Sequence, residues 1–305
     1  MKIWIVILLA AGLVACKGGN KAAQTTAPAA FPHVEVPAMI TDPQARADYM
    51  AVHWWDKFDF TDTTSLSRPE ITEQGLADYL YIVSMADSAK AREGVMKMME
   101  RSTVDSAMYA WFREETERYL WDPNSPIRNE NLYIYVLESI IGSGKVDELV
   151  KGRAEKQLQT TQKNRPGMTA ADFTYTLASG RQGRLSQIRS EYTLLFLSNP
   201  GCPACGEIIA QIKSSPAMNA MEQNKRLTVL TVYPDEELEE WHKHLPDLPS
   251  DWINGYDKEL VMRGDDLYDM RAIPTLYLLD KDKKVLLKDT TFGQLEAYIV
   301  GVLQN

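Results

Sequence analysis

The chain has 305 residues, of which 45% are hydrophobic and 25% are charged, and its formal net charge is −9. This composition is typical of a soluble globular protein, and the length allows two domains of ordinary size. The acidic balance argues against binding to nucleic acid or docking on anionic lipid, because both would repel a negative surface.

The N-terminus has the pattern of an export signal. Lys2 supplies a positive charge, and residues 3–13 form an apolar run that is too short to span a bilayer. Residues 13–16, Leu-Val-Ala-Cys, resemble the lipobox of bacterial lipoproteins. That resemblance implies cleavage before Cys16, which becomes the acylated N-terminus and membrane anchor. Lys17 fits sorting to the outer membrane, with the protein facing the periplasm. An ordinary signal peptide or a lone membrane anchor is the alternative.

The composition changes along the chain in a way that suggests domain boundaries. Residues 17–37 are rich in Ala, Thr, Gly, Lys and Pro without apolar periodicity, which predicts a flexible tether. The predicted segments are a signal peptide at 1–15, a lipidated N-terminus and tether at 16–37, a helical domain of unknown role at 38–163 and a second domain at 164–305.

Residues 42–159 show helical periodicity, and nothing in them indicates a strand. Methionine and aromatic residues recur at helical spacing, and we interpret them as the core of an all-α domain. An exposed groove for a partner is the alternative interpretation of the same residues. His33 and His53 are isolated histidines, for which structural or incidental roles are expected.

The second half alternates strand and helix patterns. Strand patterns occur at residues 173–177, 192–197, 227–232, 276–279 and 285–287, and the last two form a hairpin. Helical patterns follow Cys205 and recur at 235–244 and 295–303. The continuous apolar runs are typical of strands buried on both faces, so this order predicts one mixed sheet with helices on both sides.

Two of the 3 cysteines form the segment Cys202-Pro203-Ala204-Cys205 at the end of an apolar strand, and the third is Cys16. A disulfide across so short a loop removes little entropy from the unfolded chain, so the pair is better explained as a redox device than as a crosslink. A metal site is the weaker alternative, because one C-x-x-C supplies two ligands and no second pair with ligand spacing accompanies it. No metal and no cofactor beyond a redox-active Cys202–Cys205 disulfide is predicted.

Motifs in the second half resemble the TlpA-type thiol:disulfide oxidoreductases of the thioredoxin superfamily. The strand–CxxC–helix arrangement at Cys202–Cys205 resembles their active site, Ile273-Pro274-Thr275 resembles their cis-proline loop, and residues 172–188 resemble their first hairpin. The resemblance implies an α/β thioredoxin-like domain, with a mixed central sheet and helices on both faces, preceded by the all-α domain. The helical half resembles an uncharacterised domain that precedes such domains in bacterial envelope lipoproteins.

The resemblance also assigns roles to residues. Cys202 is the attacking cysteine and Cys205 the resolving one, and a helix N-terminus at Cys202 favours the reactive thiolate. Ile273, Pro274 and Thr275 bind an extended substrate segment by strand-like hydrogen bonds, with Pro274 in the cis form.

The sequence departs from the superfamily at two positions near the cysteines. Gly201 stands where thioredoxins have Trp, and Phe196 stands where thioredoxin has a buried acid. Glu207 is the nearest carboxylate and a candidate acid/base helper, with a solvated residue of the first helical turn as the alternative. His242 and His244 lie in a charged segment and are expected at the surface.

The residues between the cysteines favour reduction or isomerisation over oxidation. Pro203 removes a backbone N–H, Ala204 adds no charge, and the His that strong oxidants of the superfamily place there is absent. The expected partners are exported proteins with disulfides or oxidised cysteines and an inner-membrane or periplasmic thiol donor. The alternative function is a non-catalytic scaffold with a thioredoxin fold, whose helical domain captures a peptide, glycan or protein.

Overall fold

The structure, a computed structural model, describes residues 30–264 and 267–304. The predicted signal peptide, the acylated Cys16 and residues 16–29 of the predicted tether lie outside the described residues. Within the described ranges, no helix is long and apolar enough to cross a membrane.

The first half is built from helices, as predicted. These helices are α1 (Pro43–His53), α2 (Thr72–Val83), α3 (Ser88–Ser102), α4 (Ser106–Leu120), α5 (Glu130–Gly142) and α6 (Glu148–Thr161). An Asp or Asn side chain caps α1 and α3 to α6 by accepting hydrogen bonds from backbone N–H groups. These caps satisfy donors that have no partner within the helix, which is why the helices begin where they do.

The aromatic core of this half extends further toward the N-terminus than predicted. Phe31, in the predicted tether, is 6% exposed, and its ring centroid lies 5.2 Å from that of Trp54 and 6.0 Å from that of Phe58. Gly75 leaves room for it, since a Cβ there would come within 2.4 Å of the Phe31 ring. Removing an aromatic ring from water holds the chain against the helices. The prediction of a free tether up to residue 37 is therefore wrong at Phe31.

The second half is organised around one seven-stranded sheet with the order β2-β1-β5-β4-β3-β6-β7. The strands are β1 (Thr174–Leu177), β2 (Gln182–Arg184), β3 (Tyr192–Leu197), β4 (Leu227–Tyr233), β5 (Ile253–Tyr256), β6 (Thr275–Asp280) and β7 (Val285–Lys288). Strand β3 runs parallel to β4 and antiparallel to β6. The sheet is therefore mixed, and the predicted thioredoxin-like α/β class is confirmed.

Apolar layers cover both faces of this sheet. The helices are α7 (Pro203–Ser214), α8 (Pro216–Gln223), α9 (Leu238–His244), α10 (Val261–Gly264) and α11 (Phe292–Gln304). Leu194 and Phe196 of β3 pack with α7, α8 and α11, whereas Leu195 and Leu197 pack on the other face with Met262 of α10. Successive strand residues point to opposite faces, which divides the core in this way.

Basic residues of the second half bind the helical half. Arg271 lies over the Trp121 ring and donates hydrogen bonds to the Trp121 backbone oxygen at 2.6 Å and to Glu130 Oε1 at 2.7 Å. Lys288 Nζ lies 2.9 Å from Glu130 Oε2 and donates to the Thr161 backbone oxygen at 2.9 Å. Arg271 precedes Pro274 by three residues, so these contacts fix the helical half against the loop that carries the proline.

Candidate active site

Cys202 forms the N-terminal cap of α7. Its sulfur accepts a hydrogen bond from the backbone N–H of Cys205 at 3.2 Å. Gly201 has a φ of 64°, a conformation that favours glycine, and allows the chain to turn from β3 into the helix. Pro203 takes the first helical position, where no backbone donor is required. The sulfur thus lies at the positive end of the helix dipole.

Cys205 lies one turn further into α7 and is buried, whereas Cys202 is partly exposed. Burial, and then the hydrogen bond with the Cys202 sulfur, raise the pKa of the Cys205 thiol to about 12. The outer sulfur is therefore accessible to a substrate, while the inner sulfur keeps its proton at neutral pH.

The segment 273–275 lies at the same edge of the sheet as the cysteines. The Ile273–Pro274 peptide bond is cis, which confirms the predicted isomer. Thr275 begins β6 and is paired with Leu197, the last residue of β3. Ile273 and Cys202 also pack against the same apolar cluster beside α7. Strand pairing thus brings together two motifs that are far apart in the sequence.

A cavity of about 400 Å³ opens beside the cysteines. Its wall includes Cys202, Cys205, the apolar side chains of Ile209 and Trp241, and His244. A larger groove of about 860 Å³ is lined by residues of β1, β2 and β5, and Leu248 lines both spaces. A mostly apolar cavity with a few polar groups is the usual form of a ligand site, and both cysteines line this one.

The residues considered for acid/base roles differ in their burial and in whether they line the cavity. Phe196 is fully buried in the apolar layer, so this strand position carries no acidic side chain. Glu207 is exposed and is not among the described residues that line the cavity, and its role as a helper stays a prediction. His242 is exposed as expected, whereas His244 is only partly exposed and lines the cavity. The three-residue spacing of His244 and Asp247 allows the carboxylate to orient the imidazole, and this signal in the sequence was missed.

Metal coordination finds no support in the described ranges. No group of three or more His, Cys, Asp or Glu side chains there is arranged to hold an ion.

Two family models match different parts of the chain. A thioredoxin-like family matches residues 190–285, and a domain of unknown function (DUF5106) matches residues 15–164. A thioredoxin-like protein from Bacteroides caccae ATCC 43185 is 45% identical, with a TM-score of 0.85, and the match covers 88% of this chain and 98% of that chain. No curated protein matches the sequence.

Two further solved structures each match less than half of this chain. The C-terminal domain of an uncharacterized protein from Bacteroides fragilis NCTC 9343 is 58% identical, covers 45% of this chain and 98% of its own, and has a TM-score of 0.44. A conserved protein of unknown function from Bacteroides fragilis is 43% identical, covers 44% of this chain and 98% of its own, and has a TM-score of 0.43.

Proposed function

The chain belongs to the thioredoxin-like proteins, and we propose that it is a thiol:disulfide oxidoreductase acting on exported proteins through Cys202 and Cys205. The observation that carries the proposal is the Cys202 sulfur at the N-terminus of α7, where it accepts the Cys205 N–H at 3.2 Å. The helix dipole and this hydrogen bond both stabilise negative charge on the sulfur, which supports a reactive thiolate.

The two cysteines have different exposures, which supports different roles. In the reductive direction the Cys202 thiolate attacks one sulfur of a substrate disulfide. The substrate S–S bond breaks, a Cys202–substrate disulfide forms, and the other substrate sulfur leaves and takes up a proton. Cys205 then loses its proton and attacks the Cys202 sulfur, which releases the second substrate sulfur. Two electrons pass from the cysteine pair to the substrate, and the pair ends as a Cys202–Cys205 disulfide.

Ile273, Pro274 and Thr275 are the proposed contacts for the substrate backbone. They lie where β6 begins, beside the end of β3 that leads to Cys202. An extended segment at this position can form strand-like hydrogen bonds with the loop. The neighbouring cavity, with Ile209 and Trp241 in its wall, can receive an apolar side chain next to the substrate cysteine.

The direction of electron flow, the TlpA type and the location are finer parts of the proposal. Pro203 and Ala204 supply no charge that would stabilise the reduced pair, which supports a reductase or isomerase. A reductant in an oxidising periplasm must be recharged, so the second proposed partner is an inner-membrane or periplasmic thiol donor. The proposed anchor is an acylated Cys16 that holds the protein at the outer membrane, facing the periplasm.

Insulin reduction by the mature chain without its lipid tests the activity. Wild type should reduce insulin with dithiothreitol as the donor, Cys202→Ser should abolish the reaction, and Cys205→Ser should accumulate mixed disulfides that mass spectrometry detects. A reduction potential near −270 mV would support a reductant, whereas about −120 mV would indicate an oxidant. A pair that exchanges at no potential would overturn the enzyme proposal and favour the non-catalytic scaffold.

A further inference from the structure

His244, at the end of α9, lies at the mouth of the cavity that contains both cysteines. Its Nε2 is 3.4 Å from the point that a Cβ on Gly201 would occupy, and its Cε1 is 3.5 Å from that point. Gly201 directly precedes Cys202, so the imidazole lies against the turn that presents the attacking sulfur.

Asp247 fixes the orientation of this ring. His244 Nδ1 lies 2.9 Å from Asp247 Oδ2, and the His244 side chain is 31% exposed. An ionised carboxylate only accepts hydrogen bonds, so Nδ1 must be the donor. The other nitrogen, Nε2, then accepts a proton when the ring is neutral and donates one when it is charged.

The site needs such a group because the inner thiol holds its proton tightly. Burial and the adjacent sulfur raise the pKa of Cys205 to about 12, so Cys205 requires a base before it can attack. Phe196 is apolar, and Glu207 is exposed outside the cavity wall. His244 lines the same cavity as both sulfurs, and a space of about 400 Å³ has room for a water that relays the proton.

Other charged groups near the ring do not replace it. Glu240 Oε2 lies 3.8 Å from Nε2, beyond hydrogen-bond distance, and is itself 3.3 Å from Lys243 Nζ. From α7, Lys213 lines the cavity but is paired with Asp251 at 2.9 Å and with Glu222 at 3.6 Å. Asp247 and Glu240 thus place negative charge near the ring, and Lys213 places positive charge in the wall of the same cavity.

We propose that His244, oriented by Asp247, is the acid–base residue of the exchange, an inference that rests on the proposed function. Charged His244 gives its Nε2 proton to the first substrate sulfur as that sulfur leaves. The neutral ring then takes the proton of Cys205, whose thiolate attacks Cys202 and forms the intramolecular disulfide. The ring passes this proton to the second leaving sulfur. The substrate thus gains two protons and two electrons, and His244 ends neutral.

A stopped-flow reaction of equimolar dithiobis(nitrobenzoate) with the chain from Lys17 onward, which lacks Cys16, separates the two steps. Attack by Cys202 releases the first thionitrobenzoate, and resolution by Cys205 releases the second. His244→Ala should slow the second release by about 100-fold at pH 7, the lower end of general acid–base contributions. The second release in wild type should also slow at acidic pH, because a protonated ring cannot take the Cys205 proton, and His244→Ala should lack this dependence on pH. Asp247→Asn should slow the second release less than His244→Ala does, and added imidazole should partly restore the rate of His244→Ala.

His242→Ala is the matched control, because His242 lies on the same helix but is exposed and packs its ring against Trp241 at 4.9 Å. It should change neither release. If His244→Ala does not fold, His244→Gln provides the same test with a side chain that still reaches Asp247. Two releases in wild type with an unchanged rate and pH profile in the His244 variants would overturn this inference and leave the proposed function intact. Failure of wild type to give both releases would overturn the proposed function itself.

Discussion

Arg271 joins the helical half to the loop that precedes Pro274, and we expect Arg271→Met to destabilise the protein strongly. Its guanidinium donates to the Trp121 backbone oxygen and to Glu130, and lies 2.7 Å from Asp269 Oδ2. The Arg271 side chain is 18% exposed and that of Asp269 is 4% exposed. Methionine keeps an unbranched apolar side chain, so the substitution removes mainly the charge and the hydrogen bonds.

The magnitude follows from what the lost guanidinium leaves behind. Removing one partner of a buried ion pair costs about 3–5 kcal/mol because the other charge stays buried without compensation. Glu130 keeps Lys288 at 2.9 Å, so the loss falls on Asp269 and on the Trp121 carbonyl, and we expect about 3 kcal/mol. Arg263 pairs with Asp235 at the surface and is 50% exposed, so Arg263→Met should cost less than about 1 kcal/mol.

Urea unfolding of both variants, followed by circular dichroism and tryptophan fluorescence at one pH and salt concentration, measures this difference. A separate, earlier transition of one half in Arg271→Met would show that the two halves have lost their mutual stabilisation. If Arg271→Met and Arg263→Met lowered the free energy of unfolding equally, the reasoning from burial would be refuted.

Other substitutions and reagents test separate parts of the structure. Phe31→Ala should lower the free energy of unfolding by about 3 kcal/mol, whereas the control Met39→Ala, at an exposed residue, should lower it by less than about 0.5 kcal/mol. Equal losses for the two variants in urea unfolding would favour a free tether. Within the pair, iodoacetamide at pH 8 should label Cys202 and not Cys205, because a pKa of about 12 leaves about one Cys205 thiolate in 10,000. Equal labelling of the two cysteines by mass spectrometry would contradict this. Burial, opposed by Arg128 and Arg271, raises the pKa of Asp289 in the folded protein. The stability that protonated Asp289 contributes is therefore fully present below the ordinary carboxyl pKa and is lost as pH rises through the pKa in the folded protein. Asp289→Asn should therefore raise the urea midpoint at pH 7 more than at pH 3. Equal midpoint shifts at the two pH values would contradict a raised pKa for Asp289.

Local signals in the sequence predicted much of the second half. The apolar run 192–197 coincides with β3, and the cysteine pair follows it at the start of α7 as expected. Strand β5 (Ile253–Tyr256) was not predicted, because Asn254 and Gly255 in its centre have low strand propensity. It is a strand because it pairs with β4 on one side and with β1 on the other.

The tether prediction shows that amino-acid composition alone cannot identify a buried residue within a segment of flexible composition. Residues 17–37 have the composition of a flexible segment, and one Phe among them carries no periodic signal. The burial of Phe31 depends on Trp54 and Gly75, which only the folded helices bring to it. A local pattern cannot specify a contact whose partners lie in other elements.

The sequence by itself determined the helical half, the mixed sheet and the reactive pair, because hydrophobic periodicity and motif spacing are local properties of the chain. Only the tertiary structure decided which polar residue lies beside the sulfurs. Glu207 is two residues after Cys205, and helix residues two apart do not share a face, so Glu207 is exposed where Cys205 is buried. His244 reaches the cavity because packing places the end of α9 against the Gly201 turn, a contact between elements that no local pattern encodes.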